Sequence, residues 1–224
     1  MAETKKKLII FGCSSFSTSI LSLCKKINTI EVVAICVDDE YLISVPKIYN
    51  GISVIGFTEA QRLYPNASYI LAVSYKNMRA RKSIYEKLKN INADIATLIS
   101  PNAHISTVNI APGCIIFDGV VIEQGAVINE NVTIWSNVTI CHDVEIKNHC
   151  FIAANVTLGG FVKVDTLTFI GFSATIIDSI TVGCECLVGA GSLVLSDVGD
   201  YSKCFGVPAR NVGHIDKKTG VRFL

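Results

Sequence analysis

Residues 140–152, ICHDVEIKNHCFI, place two histidines, two cysteines and two carboxylates within thirteen positions. Imidazole is the usual proton acceptor near neutral pH, and imidazole and thiolate are also common ligands of zinc. The segment is therefore a proton-transfer site, a metal site or ordinary surface. The direction in which each side chain points decides among these three.

An unbroken six-residue repeat surrounds this segment and predicts those directions. From Ile105 onwards the last residue of each hexad is aliphatic fifteen times in succession, and the residue two before it is small or β-branched. A fixed six-residue period is typical of a parallel β-helix in which these two positions point inward. The predicted inward positions run from Val108 and Ile110 to Ser192 and Val194.

Each hexad is predicted to be a three-residue strand followed by a three-residue corner, so that three hexads make one triangular coil. Stacked coils are separated by about 4.8 Å, the spacing between strands. The period does not set the hand of the coil, and the general crossover rule favours a right-handed one. Inward burial is smaller than the entropy lost by ordering the backbone, so we expect an oligomer.

The residues before the repeat have a different pattern. Lys7–Phe11, Val32–Val37 and Ile70–Ser74 are predicted strands, and Thr18–Lys26 and Lys76–Ile91 are predicted helices. Alternating strands and helices are typical of a small parallel α/β sheet.

Two features of this first domain are candidates for ligand binding. The turn between the first strand and helix carries one glycine and several serines, and a turn that enters a helix N-terminus is a natural phosphate cradle. Two aspartates follow the second strand, where a carboxylate can accept hydrogen bonds from ribose or a base. An ordinary turn remains the alternative for each. The candidate substrate-binding residues are Gly12, Ser14, Ser15, Phe16, Asp38 and Asp39.

Composition excludes some classes of function. The chain has 224 residues, half of them hydrophobic, and a formal net charge of +1, which does not favour nucleic acid as a partner. No stretch approaches the roughly 20 apolar residues of a membrane span, and no signal peptide is evident. The nine cysteines are interpreted mostly as core residues of a cytoplasmic protein.

The repeat argues against a metal site. Cys150 is an inward position, and His142 and His149 lie on successive corners, about a third of a coil apart. One chain cannot bring two such corners to one ion at the roughly 2 Å distance of a zinc ligand. A site shared between chains, as in a metal-dependent hydratase, needs a third histidine in the repeat, and His104 and His214 lie outside it. We therefore predict no metal, with His149 on a solvated corner.

His142 and Asp143 share one outward corner, where adjacent side chains converge. The imidazole is the candidate general base, and the carboxylate can hold its tautomer. Eighteen residues later the same corner carries Gly159 and Gly160. Two absent side chains above the base leave room for a substrate, and we expect the Gly160 N–H to approach a developing oxyanion.

The Ile-x-x-x-Val-x repeat resembles that of the hexapeptide acyltransferases, whose prisms are left-handed β-helices that pack as trimers. The order of parts is also similar to one branch of that family: an α/β domain, the hinge Ser100–Ala103, the prism and the terminal segment Phe205–Arg210. That branch comprises the nucleotide-sugar N-acetyltransferases of the bacillosamine, viosamine and perosamine types and the sialic-acid-pathway acetyltransferases. The resemblance implies a nucleotide-sugar-binding α/β domain in residues 1–100, a left-handed β-helix in residues 101–196 and a C-terminal tail in residues 197–224.

The resemblance also implies a chemistry. His142, oriented by Asp143, would act as the base when the 4-amino group of a nucleotide-linked 4-amino-4,6-dideoxy sugar attacks acetyl-CoA in a homotrimer. Phe151 stands where several members have a second histidine that contacts acetyl-CoA. The cofactor-binding positions that it implies are Phe151, Gly159, Gly160, Gly171, Gly189, Ala190, Pro208 and Arg210.

Three points stay open on the sequence. The same residue pair could acetylate a sugar hydroxyl, and the chain could also be a non-catalytic trimer that binds a nucleotide sugar. The nucleotide itself (UDP, dTDP or GDP) is not specified. The resemblance places the product in cytoplasmic polysaccharide biosynthesis, such as that of an O-antigen.

Overall fold

The computed structural model describes residues 5–73 and 76–223. These residues form two compact units. The first comprises residues 5–73 and 83–98, and the second comprises residues 76–82 and 99–223. No helix among the described residues is long and apolar enough to cross a bilayer.

The first unit is a five-stranded sheet in the order β3-β4-β2-β1-β5. All neighbours are parallel except the β3–β4 hairpin. Buried strands β1 and β5 are apolar because helices cover the sheet, as in other α/β folds. The elements are β1 (Lys6–Phe11), α1 (Ser15–Cys24), β2 (Ile30–Val37), a 3-10 helix (Asp39–Ser44), β3 (Ile48–Tyr49), β4 (Ile52–Gly56), α2 (Phe57–Leu63), β5 (Ser68–Leu71) and α3 (Met78–Asn90), of which residues 78–82 belong to the second unit.

The predicted strands and helices of this unit are found within a few residues of their expected bounds. Ser74, the predicted end of the third strand, lies outside the described residues. The sequence analysis missed β3, β4 and α2. These elements have at most seven residues each, so that too few turns or alternations are present to show a period.

The second unit is a three-faced parallel β-helix. Most of its ladders join residues eighteen apart, as in the pairing of Ile134 with Ile152, so one coil has three strands and three corners. The first face holds β6, β8, β11, β14, β17, β20, β22 and β23, the second β7, β9, β12, β15, β18 and β21, and the third β10, β13, β16 and β19. The strands are β6 (Leu98–Ile99), β7 (His104–Ile105), β8 (Ile115–Ile116), β9 (Val121–Ile122), β10 (Val127–Ile128), β11 (Thr133–Ile134), β12 (Thr139–Ile140), β13 (Glu145–Ile146), β14 (Phe151–Ile152), β15 (Thr157–Leu158), β16 (Lys163–Val164), β17 (Phe169–Ile170), β18 (Thr175–Ile176), β19 (Thr181–Val182), β20 (Leu187–Val188), β21 (Leu193–Val194), β22 (Ser202–Gly206) and β23 (Ala209–His214).

The interior of this prism is formed by the predicted inward positions. Every one of them from Cys114 to Val194 is buried. The prediction is wrong for Val108, which is 96% exposed. Ile110 is partly buried and makes only an isolated bridge to Ile128. These two residues belong to the first coil, where no earlier coil supplies a complete set of neighbours.

The corners have a backbone period of their own. At every sixth residue from Gly113 to Gly191 the angle φ is positive. Residues other than Gly, Asn and Asp rarely adopt this conformation. It turns the chain sharply, and it places Asp143, His149 and Phe161 at equivalent points of three corners.

An aromatic cluster covers the outside of the first face. Phe151 and Phe169 stack at 5.5 Å between ring centroids and are packed with residues from the start of α3 and from the C-terminal segment. The buried members are Met78, Phe151, Ala153, Leu167, Phe169, Ile215 and Val221. The C-terminal residues therefore belong to the prism: β22 extends its first sheet, and Ile215 and Val221 pack on its surface.

Candidate active site

The His142–Asp143 pair lies on the corner that follows β12. Asp143 has a φ of 58°, and this turn lets its carboxylate reach back to the preceding ring. Oδ2 of Asp143 is 3.1 Å from Nδ1 of His142, and the two side chains are 48% and 50% exposed. With Nδ1 donating to the carboxylate, Nε2 keeps its lone pair and can accept a proton from a substrate.

The backbone of His142 is held from both sides. Its N–H donates to Oε2 of Glu123 at 2.9 Å. Its carbonyl accepts from the N–H of Phe161, one coil later, at 3.1 Å. The imidazole therefore stands on a fixed backbone although its ring is half exposed.

Gly160 closes over the imidazole ring. A β-carbon at this position would lie 2.7 Å from Cε1 and 2.8 Å from Nε2 of His142. The imidazole can hold this position only because residue 160 has no side chain, and the ring itself fills the space expected to be open there. Gly159 is equally restricted, since a β-carbon there would lie 2.2 Å from Oδ1 of Asp178.

The expected oxyanion donor is already engaged. The N–H of Gly160 donates to Oδ1 of Asp178 at 2.9 Å. It therefore has no free hydrogen to offer an oxyanion while Asp178 accepts it. This carboxylate is the neighbour one coil further on, since Asp178 follows Gly160 by eighteen residues.

Two further side chains border the base. The ring of Phe161 meets the imidazole edge-on, with centroids 5.0 Å apart and an angle of 85°. Cys141 precedes the histidine, and burial, with smaller contributions from the charges of Glu123 and Asp178, raises the pKa of its thiol.

The two histidines, His142 and His149, have different environments in the structure. His149, expected on a solvated corner, is only 3% exposed. Its Nδ1 is 3.0 Å from Nδ2 of Asn131, one coil earlier. The expectation of a solvated histidine is therefore wrong, because this corner is covered while that of His142 is open. No group of three or more His, Cys, Asp or Glu in residues 5–73 and 76–223 could hold a metal ion.

Phe151 lies inside the aromatic cluster and is 0% exposed. Its ring is stacked on Phe169 and is 6.4 Å from the ring of Trp135. A side chain enclosed in this way has no surface to offer a cofactor.

The remaining cofactor positions lie on another edge of the prism. Gly171, Gly189 and Ala190 follow strands of the first face, whereas His142 follows a strand of the second. A β-carbon on Gly171 would lie 2.6 Å from the backbone nitrogen of Ala190, so these corners stack tightly. Within one chain, these glycines and the base are therefore on different corners.

Pro208 and Arg210 belong to the terminal hairpin. Pro208 is exposed in the turn between β22 and β23 and follows a cis peptide bond. Arg210 is exposed, and its guanidinium donates to the carbonyl of Ala209 at 3.0 Å. Phe205 of this hairpin covers Gly189, where a β-carbon would lie 1.7 Å from its ring.

The turn after β1 is held together by its own polar groups. Gly12 has a φ of 120°, and a β-carbon there would lie 3.0 Å from the carbonyl of Ala72. The N–H of Ser14 donates to Oγ of Ser17 at 3.0 Å, and the hydroxyl of Ser14 donates to the carbonyl of Ala72 at 3.3 Å. Ser15 is exposed, whereas Phe16 is buried in the unit.

The two aspartates after β2 have partners. Asp38 forms an ion pair with Lys87, and Asp39 accepts hydrogen bonds from the N–H and the hydroxyl of Thr58 at the start of α2. They border an open cavity of about 420 Å³ together with Glu40, Ser83, Ile84 and Lys87. Lys87 Nζ also lies 5.8 Å from the centroid of Phe11, at the end of β1. The structure therefore places these aspartates and the turn after β1 at the same edge of the sheet.

Three residues of the candidate site were missed by sequence reasoning: Glu123, Phe161 and Asp178. Each is eighteen residues from a neighbour in the site, Cys141, Asp143 and Gly160 respectively. Counting one coil back from Cys141 and one coil forward from Asp143 and Gly160 would have found them. The sequence therefore contained the information, but the prediction considered only Gly159 and Gly160 among the residues one coil away.

Two protein families match separate segments of the chain, one in the α/β unit and one in the β-helix. Residues 7–88 match the PglD N-terminal domain family. Residues 125–160 match the bacterial transferase hexapeptide family, six repeats.

Solved structures with the same fold extend over most of the chain. PerB from Caulobacter crescentus, in complex with CoA and GDP-perosamine, has a TM-score of 0.82 and 24% identity, covering 92% of this chain and 97% of that one. The acetyltransferase domain of PglB from Neisseria gonorrhoeae, in complex with acetyl coenzyme A, has a TM-score of 0.82 and 24% identity, covering 93% and 100%. These likenesses confirm the α/β domain followed by a left-handed β-helix, and exclude the right-handed coil favoured by the general crossover rule.

A curated relative matches a shorter segment. The serine acetyltransferase of Bacillus subtilis (strain 168) is 40% identical over an alignment of 84 residues, and the match covers 33% of this chain. The match spans only 38% of that enzyme.

Proposed function

We propose that this chain, which joins a PglD N-terminal domain to bacterial transferase hexapeptide repeats, is an acetyl-CoA-dependent sugar N-acetyltransferase. Its acceptor is the 4-amino group of a nucleotide-linked 4-amino-4,6-dideoxy sugar. The observation that carries the proposal is the His142–Asp143 pair beneath the bare backbone of Gly160. The CoA and GDP-perosamine of the PerB complex, and the acetyl coenzyme A of the PglB complex, support it.

In this reaction the acceptor nitrogen attacks the thioester carbon while Nε2 of His142 removes a proton from it. The C–N bond forms, the C–S bond breaks, and the imidazolium returns its proton to the leaving sulfur. Asp143 holds the ring through Nδ1 and stabilises its charged form. No covalent enzyme intermediate is needed, so Cys141 has no part in the proposal. The donor for the oxyanion is left unassigned, because the Gly160 N–H is bound to Asp178.

The charge around the base supports an amine as the acceptor. Glu123 bonds the backbone of His142, Asp143 bonds its ring, and Asp178 bonds the glycine above it. None of the three carboxylates is ion-paired with a lysine or arginine in the described part of the chain. A cationic ammonium group is attracted to such a site before it is deprotonated, whereas a neutral hydroxyl gains little. We therefore favour N-acetylation over O-acetylation.

The base and the glycines assigned to CoA lie on different corners of the prism, and this separation supports a homotrimer. The base is on one corner of the prism, and the glycines that we assign to the CoA arm, Gly171 and Gly189, are on another. A neighbouring copy can bring its glycine edge to the histidine edge of the first. The proposed CoA-binding residues are therefore Gly159 and Gly160 of one chain and Gly171, Gly189, Ala190, Pro208 and Arg210 of the next.

The first unit is proposed to hold the nucleotide. In its sheet the strand order reverses between β1 and β5, and open α/β sheets bind ligands at such a point, beyond the carboxyl ends of the strands. Gly12 and Ser15 lie at this edge, and Asp38 and Asp39 border the neighbouring cavity. Phe16 and Phe151 are left out of the proposed site because both side chains are buried.

The experiment measures CoA release from acetyl-CoA with UDP-, dTDP- and GDP-linked 4-amino-4,6-dideoxy sugars. Wild type is compared with His142→Ala and with the control His104→Ala, an exposed histidine of the first coil. We expect turnover on one of the sugars, lost by at least about 100-fold in His142→Ala and retained in His104→Ala.

Other outcomes point to other functions. Turnover that survives His142→Ala removes this histidine as the base. Turnover only with sugars that carry a hydroxyl in place of the amino group, linked to the same nucleotides, assigns O-acetylation. Binding of a nucleotide sugar without CoA release, by folded protein, assigns the non-catalytic alternative. Light scattering tests the trimer, for which we expect three times the chain mass of 24.2 kDa.

A further inference from the structure

Phe161 is a large apolar residue in an unfavourable place. Its φ is 61°, in the left-handed region that bulky residues seldom adopt, and its side chain is 54% exposed. The equivalent corners at Asn131, Asn137 and Asn155 carry the residue type that tolerates this conformation best. Phe161 thus combines backbone strain with an exposed ring.

Packing within the chain does not account for this choice. Leu167 has the same backbone conformation at the next corner, with a φ of 59°, but it is only 6% exposed and belongs to the aromatic cluster. Its burial offsets the strain. Phe161 has no comparable burial, and its ring packs edge-on against the imidazole of His142. Strained residues of this kind concentrate at functional sites.

The position of Phe161 limits what it can touch. Its ring centroid is 5.0 Å from that of the base, and the acceptor nitrogen must come within hydrogen-bond reach of the same base. In a 4-amino hexose only three covalent bonds separate that nitrogen from carbon C6. A side chain packed against the base on the side of the acceptor is therefore close enough to contact the substituent at C6.

We propose that Phe161 is the residue that selects a 6-deoxy acceptor, by packing its exposed ring against the C6 methyl group. Its neighbours around the base are the carboxylates of Glu123, Asp143 and Asp178, which suit the amine but offer nothing to a methyl group. A sugar with a hydroxyl at C6 would bury that polar group against the phenyl ring without a partner. This inference rests on the proposed function and identifies the substituent at C6 as the feature of the acceptor that the site recognises.

The test uses two acceptors that differ only at C6: the nucleotide-linked 4-amino-4,6-dideoxy sugar and its 6-hydroxy counterpart. We expect wild type to prefer the 6-deoxy sugar by about tenfold in kcat/KM. In Phe161→Asn, which suits the left-handed corner, the ratio should fall close to one. Most of the change should be in KM for the 6-deoxy sugar. The matched control is Ser179→Asn, an exposed corner residue one coil further on the same edge, with a φ of 62°.

Three results would overturn the inference. The first is an unchanged ratio in Phe161→Asn, and the second is an equal loss of preference in Ser179→Asn. The third is a fall in molar mass of Phe161→Asn at assay concentration, which would assign the ring to a contact between copies of the chain. If wild type releases no CoA with any amino sugar, the proposed function fails as well. If His142-dependent turnover persists with an unaltered ratio, only the role of Phe161 fails.

Discussion

Gly160 packs so closely against the imidazole ring of His142 that a β-carbon at residue 160 would be 2.8 Å from Nε2. This nitrogen is the atom that must receive the substrate proton. The two residues are eighteen apart in the sequence and occupy the same corner of successive coils. The position of the base therefore depends on the absence of one side chain.

Gly160→Ala should displace the ring and lower kcat/KM by about 100-fold, because misplacing a catalytic group by about 1 Å has an effect of this size. The imidazole is half exposed and can rotate away, so we expect little change in thermal unfolding. Gly199→Ala is the control, since a β-carbon there meets nothing within 4 Å. Full activity of Gly160→Ala would show that the ring position is not critical.

Asp143→Asn should lower kcat by about tenfold to 100-fold, less than the roughly 100-fold to 10,000-fold of general acid–base catalysis, because the base itself remains. Asparagine fits the left-handed corner as well as aspartate does. The variant therefore removes the negative charge but keeps the backbone conformation of the corner. Steady-state rates at saturating acetyl-CoA measure the effect. Asp197→Asn is the control, an acid that accepts the Thr181 N–H at 2.8 Å. Equal rates for Asp143→Asn and wild type would show that the Asp143 carboxylate is not needed to orient His142.

The two histidines should respond in opposite ways to the same substitution. His142→Asn should lose activity and keep its stability, because its ring is half exposed. His149→Asn should keep activity and lose about 1–3 kcal/mol of unfolding free energy, because its buried ring is bonded to Asn131. Denaturant unfolding and CoA release are measured on both proteins. A strong activity loss in His149→Asn would give that residue a role that its burial does not suggest.

Arg81 and Arg79 form a second matched pair. Arg81 is fully buried, burial lowers the pKa of its guanidinium to about 10, and its three nitrogens have no hydrogen-bond partner in the described part of the chain. Arg79 is partly exposed and makes two 2.9 Å bonds to the carboxylate of Glu185.

Arg81→Met should therefore leave the free energy of unfolding unchanged or raise it by about 1–4 kcal/mol, since an apolar side chain replaces an uncompensated buried charge. Arg79→Met should lower it by about 1 kcal/mol, as expected for a partly exposed ion pair. Denaturant midpoints compare the two variants. If Arg81→Met is the more destabilising, the guanidinium has a partner in the folded protein.

Cys141 should be chemically inert although it adjoins the base. Burial, then the charges of Glu123 and Asp178, raise the pKa of its thiol above the ordinary value of 9.0. A raised pKa keeps the thiol protonated at pH 8, and the reactive thiolate forms only as the pH rises beyond the usual range. Iodoacetamide should modify Cys141 more slowly in the folded than in the unfolded protein, and Cys141→Ser should keep its turnover. Rapid alkylation with loss of activity would contradict both expectations.

The sequence was informative wherever one residue type repeats at a constant interval. The aliphatic hexads predicted the prism interior from Cys114 to Val194, and the same count placed His142 and Asp143 on one outward corner. It was uninformative where an element is short, as for β3, β4 and α2, or where the repeat lacks a neighbouring coil, as at Val108.

The repeat also says which way a corner points, but not what covers it. His142 and His149 are both outward, yet one is open and the other is enclosed. The aromatic cluster joins the start of α3 and the C-terminal segment to the face beside His149. Met78 and Ile215 are more than sixty residues from His149 in the chain, and a six-residue period carries no information about such distant contacts.

The sequence by itself therefore determined the fold class, the inward positions and the pairing of the histidine with its carboxylate. Each of these depends on local geometry that repeats identically along the chain. The tertiary structure decided that Asp178 engages the Gly160 N–H, that Phe151 and His149 are enclosed, and that Phe161 faces the base. These properties arise from contacts between coils and from segments that fold back onto the prism, so their energies depend on distances that sequence spacing does not contain.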